Sequence, residues 1–186
     1  MRKALYLMGI LEDTDIDWIA QKGEQQRVHS DTVLIREGHS IGSLYILLDG
    51  SVTVSAGGRT LATLAPGEIF GEISLVDSRL PMATVTAAKD SRLLSVSRVA
   101  LQDKLGKDPW FASRFYKAIA LFLADRLRTT SAHLGYGKPD QDSSDHEIDE
   151  LDSDLMDSVS LAGLRFDSLQ KKMRSLPAVA IAGSGD

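Results

Sequence analysis

GEIFGEISLVDSRLPMATVTA, Gly67 to Ala87, can be read residue by residue from elementary chemistry. Pro66-Gly67 marks a turn, and the Gly71-Glu72 pair opens a short helical turn beginning near Glu72. A loop through Arg79 and Pro81 then leads to a β-branched return strand, Ala83 to Ala87. The start of a helix presents unpaired N–H groups with a partial positive charge, so the amides of Ile73 and Ser74 suit an anion such as a phosphate. Gly71 lets a ligand come close to the backbone, and Glu72 is placed to accept hydrogen bonds from a sugar hydroxyl. The same pattern also fits a plain turn with an acid at its N-terminal end.

Outward from this stretch, short apolar runs separated by glycine fill residues 25–97: Thr32 to Ile35, Leu44 to Leu48, Ser51 to Ser55, Thr60 to Leu64, Ala83 to Ala87 and Arg92 to Val96. Strands at this spacing predict an α+β, mainly β fold: a sandwich, a jelly-roll β-barrel or another small barrel. A helical cover is expected over 3–23, with Asp13 and Thr14 as N-caps, and the helices over 98–134 include a long one after Pro109. Its apolar positions Phe111, Phe115, Ile119, Phe122, Leu123, Leu127 and Leu134 recur at helical steps, which admits either a homodimer seam or one broad buried face. Residues 1–134 are thus expected to form one domain, 135–149 an acidic flexible linker, and 150–186 an extra distal helix with a frayed tail.

Composition removes several function classes. The chain has 186 residues and no cysteine, which excludes disulfides, thiolate nucleophiles and Cys-based zinc sites. Its four histidines, His29, His39, His133 and His146, form no His-x-His pair, and no Gly-x-Ser-x-Gly elbow or phosphate-transfer loop occurs, so an enzyme is not expected, nor a cofactor or metal. Nine acids between Asp140 and Asp157 oppose Lys138 alone, a local charge of −8 in a chain of net charge −5. That excess disfavours DNA, whose binding requires clustered cations. No apolar run is long enough for a membrane span, and a cytoplasmic location is expected.

Three motifs in order resemble the cyclic nucleotide-binding domain family. Gly67 to Ala87 is similar to its phosphate-binding cassette; IREGHSIGSLYILLDGSVTV, Ile35 to Val54, is similar to the preceding loop and strands; and ADRLRTTSAHL, Ala124 to Leu134, looks like the distal helix of the catabolite activator protein-like branch. The resemblance implies that Glu72 meets the ribose 2′-hydroxyl, that Gly71, Ile73 and Ser74 supply backbone or hydroxyl contacts, and that Ala83 and Thr84 lie against the cyclic phosphate. It implies that Thr130 and Ser131 meet the base. One position departs: Pro81 stands where the family has its phosphate-binding arginine, and proline offers neither a guanidinium fork nor an N–H. Arg79 and Arg126 are the candidate replacement cations.

The resemblance thus implies a non-catalytic, regulatory module for signal transduction, with cAMP or another cyclic nucleotide as ligand. It would be a homodimer and pass its ligand state through its C-terminal helices to an unidentified protein partner. The alternative is a degenerate member of the same fold, emptied by Pro81 and acting as a ligand-independent interaction scaffold. Only 55 residues follow Ser131, too few for the family's DNA-binding module, and no DNA partner is expected.

Overall fold

A computed structural model describes residues 5–77, 79–133 and 149–181, apart from the side chains of residues 5–6, 129–133 and 149–160. Two short helices come first, α1 (Leu5–Ile10) and α2 (Asp13–Lys22). The residue capping α2 is Glu12, not the expected Asp13 or Thr14: its backbone N–H donates to the Asp15 carboxylate at 2.9 Å, closing a capping box. Asp15 itself is buried, and Arg114 holds it with two hydrogen bonds of 2.7 and 3.0 Å.

The strands are β1 (Glu24–Val28), β2 (Val33–Ile35), β3 (Ser43–Asp49), β4 (Val52–Ala56), β5 (Arg59–Leu64), β6 (Ile69–Phe70), β7 (Thr84–Ala87), β8 (Ser91–Ser97) and β9 (Val179–Ile181), with the helical turn α3 (Ile73–Val76) between β6 and β7. They form two sheets, in the orders β6-β3-β8-β1-β9 and β2-β7-β4-β5, so the jelly roll is an open sandwich and not a hydrogen-bonded barrel. Alternation decides which side chains go where. In β8, Leu93 faces the sandwich interior with Val28, Leu47 and Phe70, while Leu94 and Val96 face the helices.

The helical layer consists of α1, α2, α4 (Arg98–Lys107), α5 (Pro109–His133) and α6 (Asp149–Arg174). Phe111, Phe115, Ile119 and Phe122 of α5 enter the core with Leu7 and Met8 of α1 and with Leu11, which follows it, but Leu121 and Leu127 stay exposed. From α6, Ala162, Phe166, Leu169 and Met173 join the same core, whereas Leu161 and Leu164 face outward. Arg165 donates to Asp13 (2.7 Å) and to the Met8 carbonyl (3.0 Å), Gln170 donates to the Leu48 carbonyl, and Lys172 pairs with Asp17. The distal helix therefore docks on its own chain. The tail does not fray where it was expected to: Val179 to Ile181 pair in parallel with β1. The expected acidic linker falls outside the described residues.

Buried apolar groups and not the ion pairs hold α6, because solvated pairs contribute at most about 1 kcal/mol. Asp17→Asn is accordingly expected to cost less than about 0.5 kcal/mol in urea unfolding, since both partners of that pair are about half exposed.

Candidate functional site

The site begins where β6 ends. Gly71 takes φ +87°, a left-handed conformation, and a Cβ there would lie 2.7 Å from Ile41 Cδ1 and 2.9 Å from the Ser43 carbonyl oxygen. Both the backbone and the neighbours require glycine, as a turn that lets a ligand approach the backbone also would. Gly71→Ala is expected to destabilise the protein by about 2 kcal/mol, read as a lower denaturation midpoint with an unchanged m-value.

Gly71 turns the chain into α3, whose first carbonyl acceptor is Glu72: Leu75 and Val76 donate to it at 3.1 and 3.3 Å. The Glu72 side chain points inward and is only 2% exposed. Arg126, arriving from α5, donates from its Nη1 to Glu72 Oε1 at 2.6 Å. The guanidinium also sits 5.1 Å above the ring of Phe122, one helical turn earlier. Burial pushes the Glu72 carboxyl above its ordinary range, and the charge of Arg126 opposes that rise without cancelling it. Such a carboxylate is costly unless paired, which is why the 54-residue link between cassette and helix exists.

The other candidate residues separate into distinct groups. Ser74 is buried at a crevice lined by Ile41, Ser43, Leu44, Gly71, Leu75 and Arg98 that leaves no space for a water molecule. Ile73 is half exposed, with Val76, Leu80 and Met82 forming an apolar rim around the loop. Thr84 opens β7, one residue later than the strand start expected at Ala83, and its hydroxyl oxygen accepts from the Glu37 N–H at 3.1 Å. Pro81 has no donor to offer, but its carbonyl accepts from Gly38 at 2.9 Å, tying the β2–β3 loop to the cassette.

The two candidate cations part company. Arg79 is 85% exposed and pairs with its neighbour Asp77 at 3.4 Å, so it does not enter the cassette, whereas Arg126 does. Thr130 and Ser131 lie in the last turns of α5, and their side chains fall outside the described ones. A separate open groove of about 340 Å³ lies beside β2 and the β2–β3 loop, lined by Ile35, Arg36, His39, Ile41 and Tyr45 among others, and contains none of the cassette residues. Among the described residues no group of histidines and carboxylates is arranged to hold a metal ion, and no helix is long and apolar enough to cross a membrane.

Sequence reading missed the Glu72–Arg126 contact itself. The available signal was the four-residue step from Arg126 to Thr130, which places both on one helix face.

Comparison with known proteins agrees with this geometry. Residues 25–108 match the model of the cyclic nucleotide-binding domain. The cyclic AMP receptor protein of Thermus thermophilus is 36% identical over 97 residues, which are 50% of this chain and 43% of that protein. A cGMP-dependent protein kinase of Toxoplasma gondii is 37% identical over 73 residues, 39% of this chain and 7% of the kinase. The chain therefore spans less than half the length of these relatives. Among solved structures, a cyclic nucleotide-binding domain from Methylobacillus flagellatus superposes with a TM-score of 0.65 at 20% identity, covering 75% of this chain and 85% of that one. The N-terminal domain of a transcriptional regulator from Streptomyces coelicolor gives 0.57 at 27% identity, covering 68% and 91%. Over residues 25–108 the chain thus matches the cyclic nucleotide-binding domain in sequence, and its fold is the one that a solved structure of that domain has.

Proposed function

We propose that the chain is a non-catalytic sensor or adaptor module that binds a cyclic nucleotide at the Gly71–Thr84 cassette. The observation that carries this reading is Glu72, a buried carboxylate held at a glycine turn and already accepting from a guanidinium. A carboxylate has room for several hydrogen bonds, so Glu72 retains capacity to accept from a ribose hydroxyl. Arg126 supplies positive charge in a cassette that lacks an arginine at position 81. Thr84, Ala83 and the Ile73 and Ser74 amides complete the phosphate side, with Thr130 and Ser131 on the base. The ligand competes for Arg126 and moves α5, and the C-terminal helices pass that motion to a protein partner. The exposed Tyr116 and Leu127 on α5, which lie on one side of the helix, supply an apolar seam for a homodimer.

Calorimetric titration with cAMP, cGMP and cyclic dinucleotides tests the reading. Saturable binding to the wild type that Glu72→Ala abolishes is the expected result; absence of heat at millimolar ligand overturns it.

A second reading has its own observation: Glu72 is already held by Arg126, the crevice at Gly71 and Ser74 has no space for water, and the cassette carries a proline where a cation is expected. On that reading the domain is a ligand-independent scaffold whose acidic segment and distal helix contact partners. Its signature is a wild type that binds no nucleotide.

A further inference from the structure

The outer edge of β1 carries a polar demand that its neighbour does not meet. β1 lies between β8 on one side and the three residues of β9 on the other, with Gln26, Arg27 and Val28 in register with Val179, Ala180 and Ile181. Gln25 and Gln26 are 3% and 9% exposed, and the side-chain carbonyl oxygen of each has no hydrogen-bond partner among the described residues. The Gln26 amide nitrogen is used, donating to Glu24 at 3.3 Å, so its oxygen is the unmatched half. Buried polar groups are almost always paired. Gln25 and Gln26 face opposite sides of the sheet, and it is the Gln26 oxygen, in register with Val179, that points to a donor missing from the β9 position.

β9 cannot be that donor. Its side chains are Val179, Ala180 and Ile181, and Val179 is the one in register with Gln26. Nor is it firmly held: Val179 and Ala180 are exposed, Ile181 is only half-buried, and no strand among the described residues lies beyond it. The preceding helix needs no help from it, since Phe166, Leu169 and Met173 are buried in the core on their own account. β9 thus resembles a place-holder on an edge competent to pair with another strand.

We propose that the β1 edge is a strand-addition site for an extended segment of a partner protein, one that carries a hydrogen-bond donor such as serine or threonine opposite Gln26. Main-chain bonds to β1 give such a segment its grip, and the donor opposite Gln26 gives selectivity. A second copy of this chain does not fit that description, because its tail brings the same valine. The site lies outside the cassette and does not depend on nucleotide binding.

Full-length chain carrying Val179→Asp with Ile181→Asp frees the edge by placing two carboxylates on the face shared with Val28. It is titrated by fluorescence anisotropy with labelled PAVAIAG, the sequence of Pro177 to Gly183, and with the Val179→Thr version of that peptide. The threonine peptide is expected to bind the freed chain at least tenfold tighter than it binds the wild type, and at least threefold tighter than the valine peptide does. Gln26→Leu in the freed chain removes that preference. Failure of both peptides to bind a freed chain with native circular dichroism overturns the proposal, as does a threonine preference that survives Gln26→Leu. If the double substitution unfolds the protein, Val179→Thr in the otherwise unaltered chain decides: amide exchange at Ala180 and Ile181 slows at least tenfold if Gln26 has gained its donor, and an unchanged rate sinks the idea.

Discussion

Arg126→Met lowers the stability of the protein by about 2 to 3 kcal/mol at neutral pH, and most of that loss disappears on acidification. The substitution keeps an unbranched stem against Phe122 but strands Glu72, whose side chain is 2% exposed, without a guanidinium. With Arg126 present, burial already holds the Glu72 carboxyl above its ordinary value of 4.5; without it, nothing of comparable strength opposes the rise. The sign follows from proton linkage. A carboxyl whose folded-state value is raised binds its proton more tightly in the native protein, so the penalty is absent below the unfolded-state value and accumulates as pH climbs through the folded-state one. Urea unfolding of wild type and variant from pH 4 to pH 8 measures this directly. A difference between the two that stays constant over that range refutes the assignment of Glu72 as the group responsible.

Pro81→Arg tightens cyclic AMP binding by about tenfold to more than a hundredfold. A charge-assisted hydrogen bond to an anion contributes about 1.5 to 3 kcal/mol, and each 1.4 kcal/mol is a factor of ten in affinity. The change is tolerable for the backbone, since the carbonyl at position 81, which Gly38 uses, is present in either residue. Calorimetry on both proteins separates the two functional readings as well. A wild type that binds and a variant that binds more tightly supports the sensor. A silent wild type beside a micromolar variant supports the scaffold, and unchanged affinity in a binding wild type shows that the phosphate does not sit near residue 81.

Much of this architecture is legible in the chain before any coordinates are consulted. The apolar runs at Leu44 to Leu48 and Arg92 to Val96 fall within β3 and β8, because short apolar runs between turn signals have few other physical solutions. Glu24 to Val28 escaped recognition since EQQRV shows no apolar alternation: Gln25 and Gln26 look like solvent-facing positions, and only the folded chain buries them. Val179 to Ile181 escaped because three small apolar residues after a proline carry no period, and their partner lies some 150 positions away. The cassette divides the same way. Gly71 and Glu72 announce themselves as a turn followed by an acid, a local signal. That Glu72 would be met by Arg126 depends on how α5 crosses the sandwich, which spacing along the sequence does not encode.

Arg114 and Arg126 both leave α5 toward buried carboxylates, one to Asp15 at the N-terminal cover and the other to Glu72. Twelve residues of α-helix separate them, about 18 Å along the axis. Lifting the helix as a rigid rod would strip Asp15 of its guanidinium along with Glu72, a double loss that a single small molecule is poorly equipped to offset. The near half of the rod is in effect clamped at a fulcrum, with Phe111 and Phe115 wedged beneath it. Any swing that begins at Glu72 is therefore a bending of the last three turns, beyond Phe122.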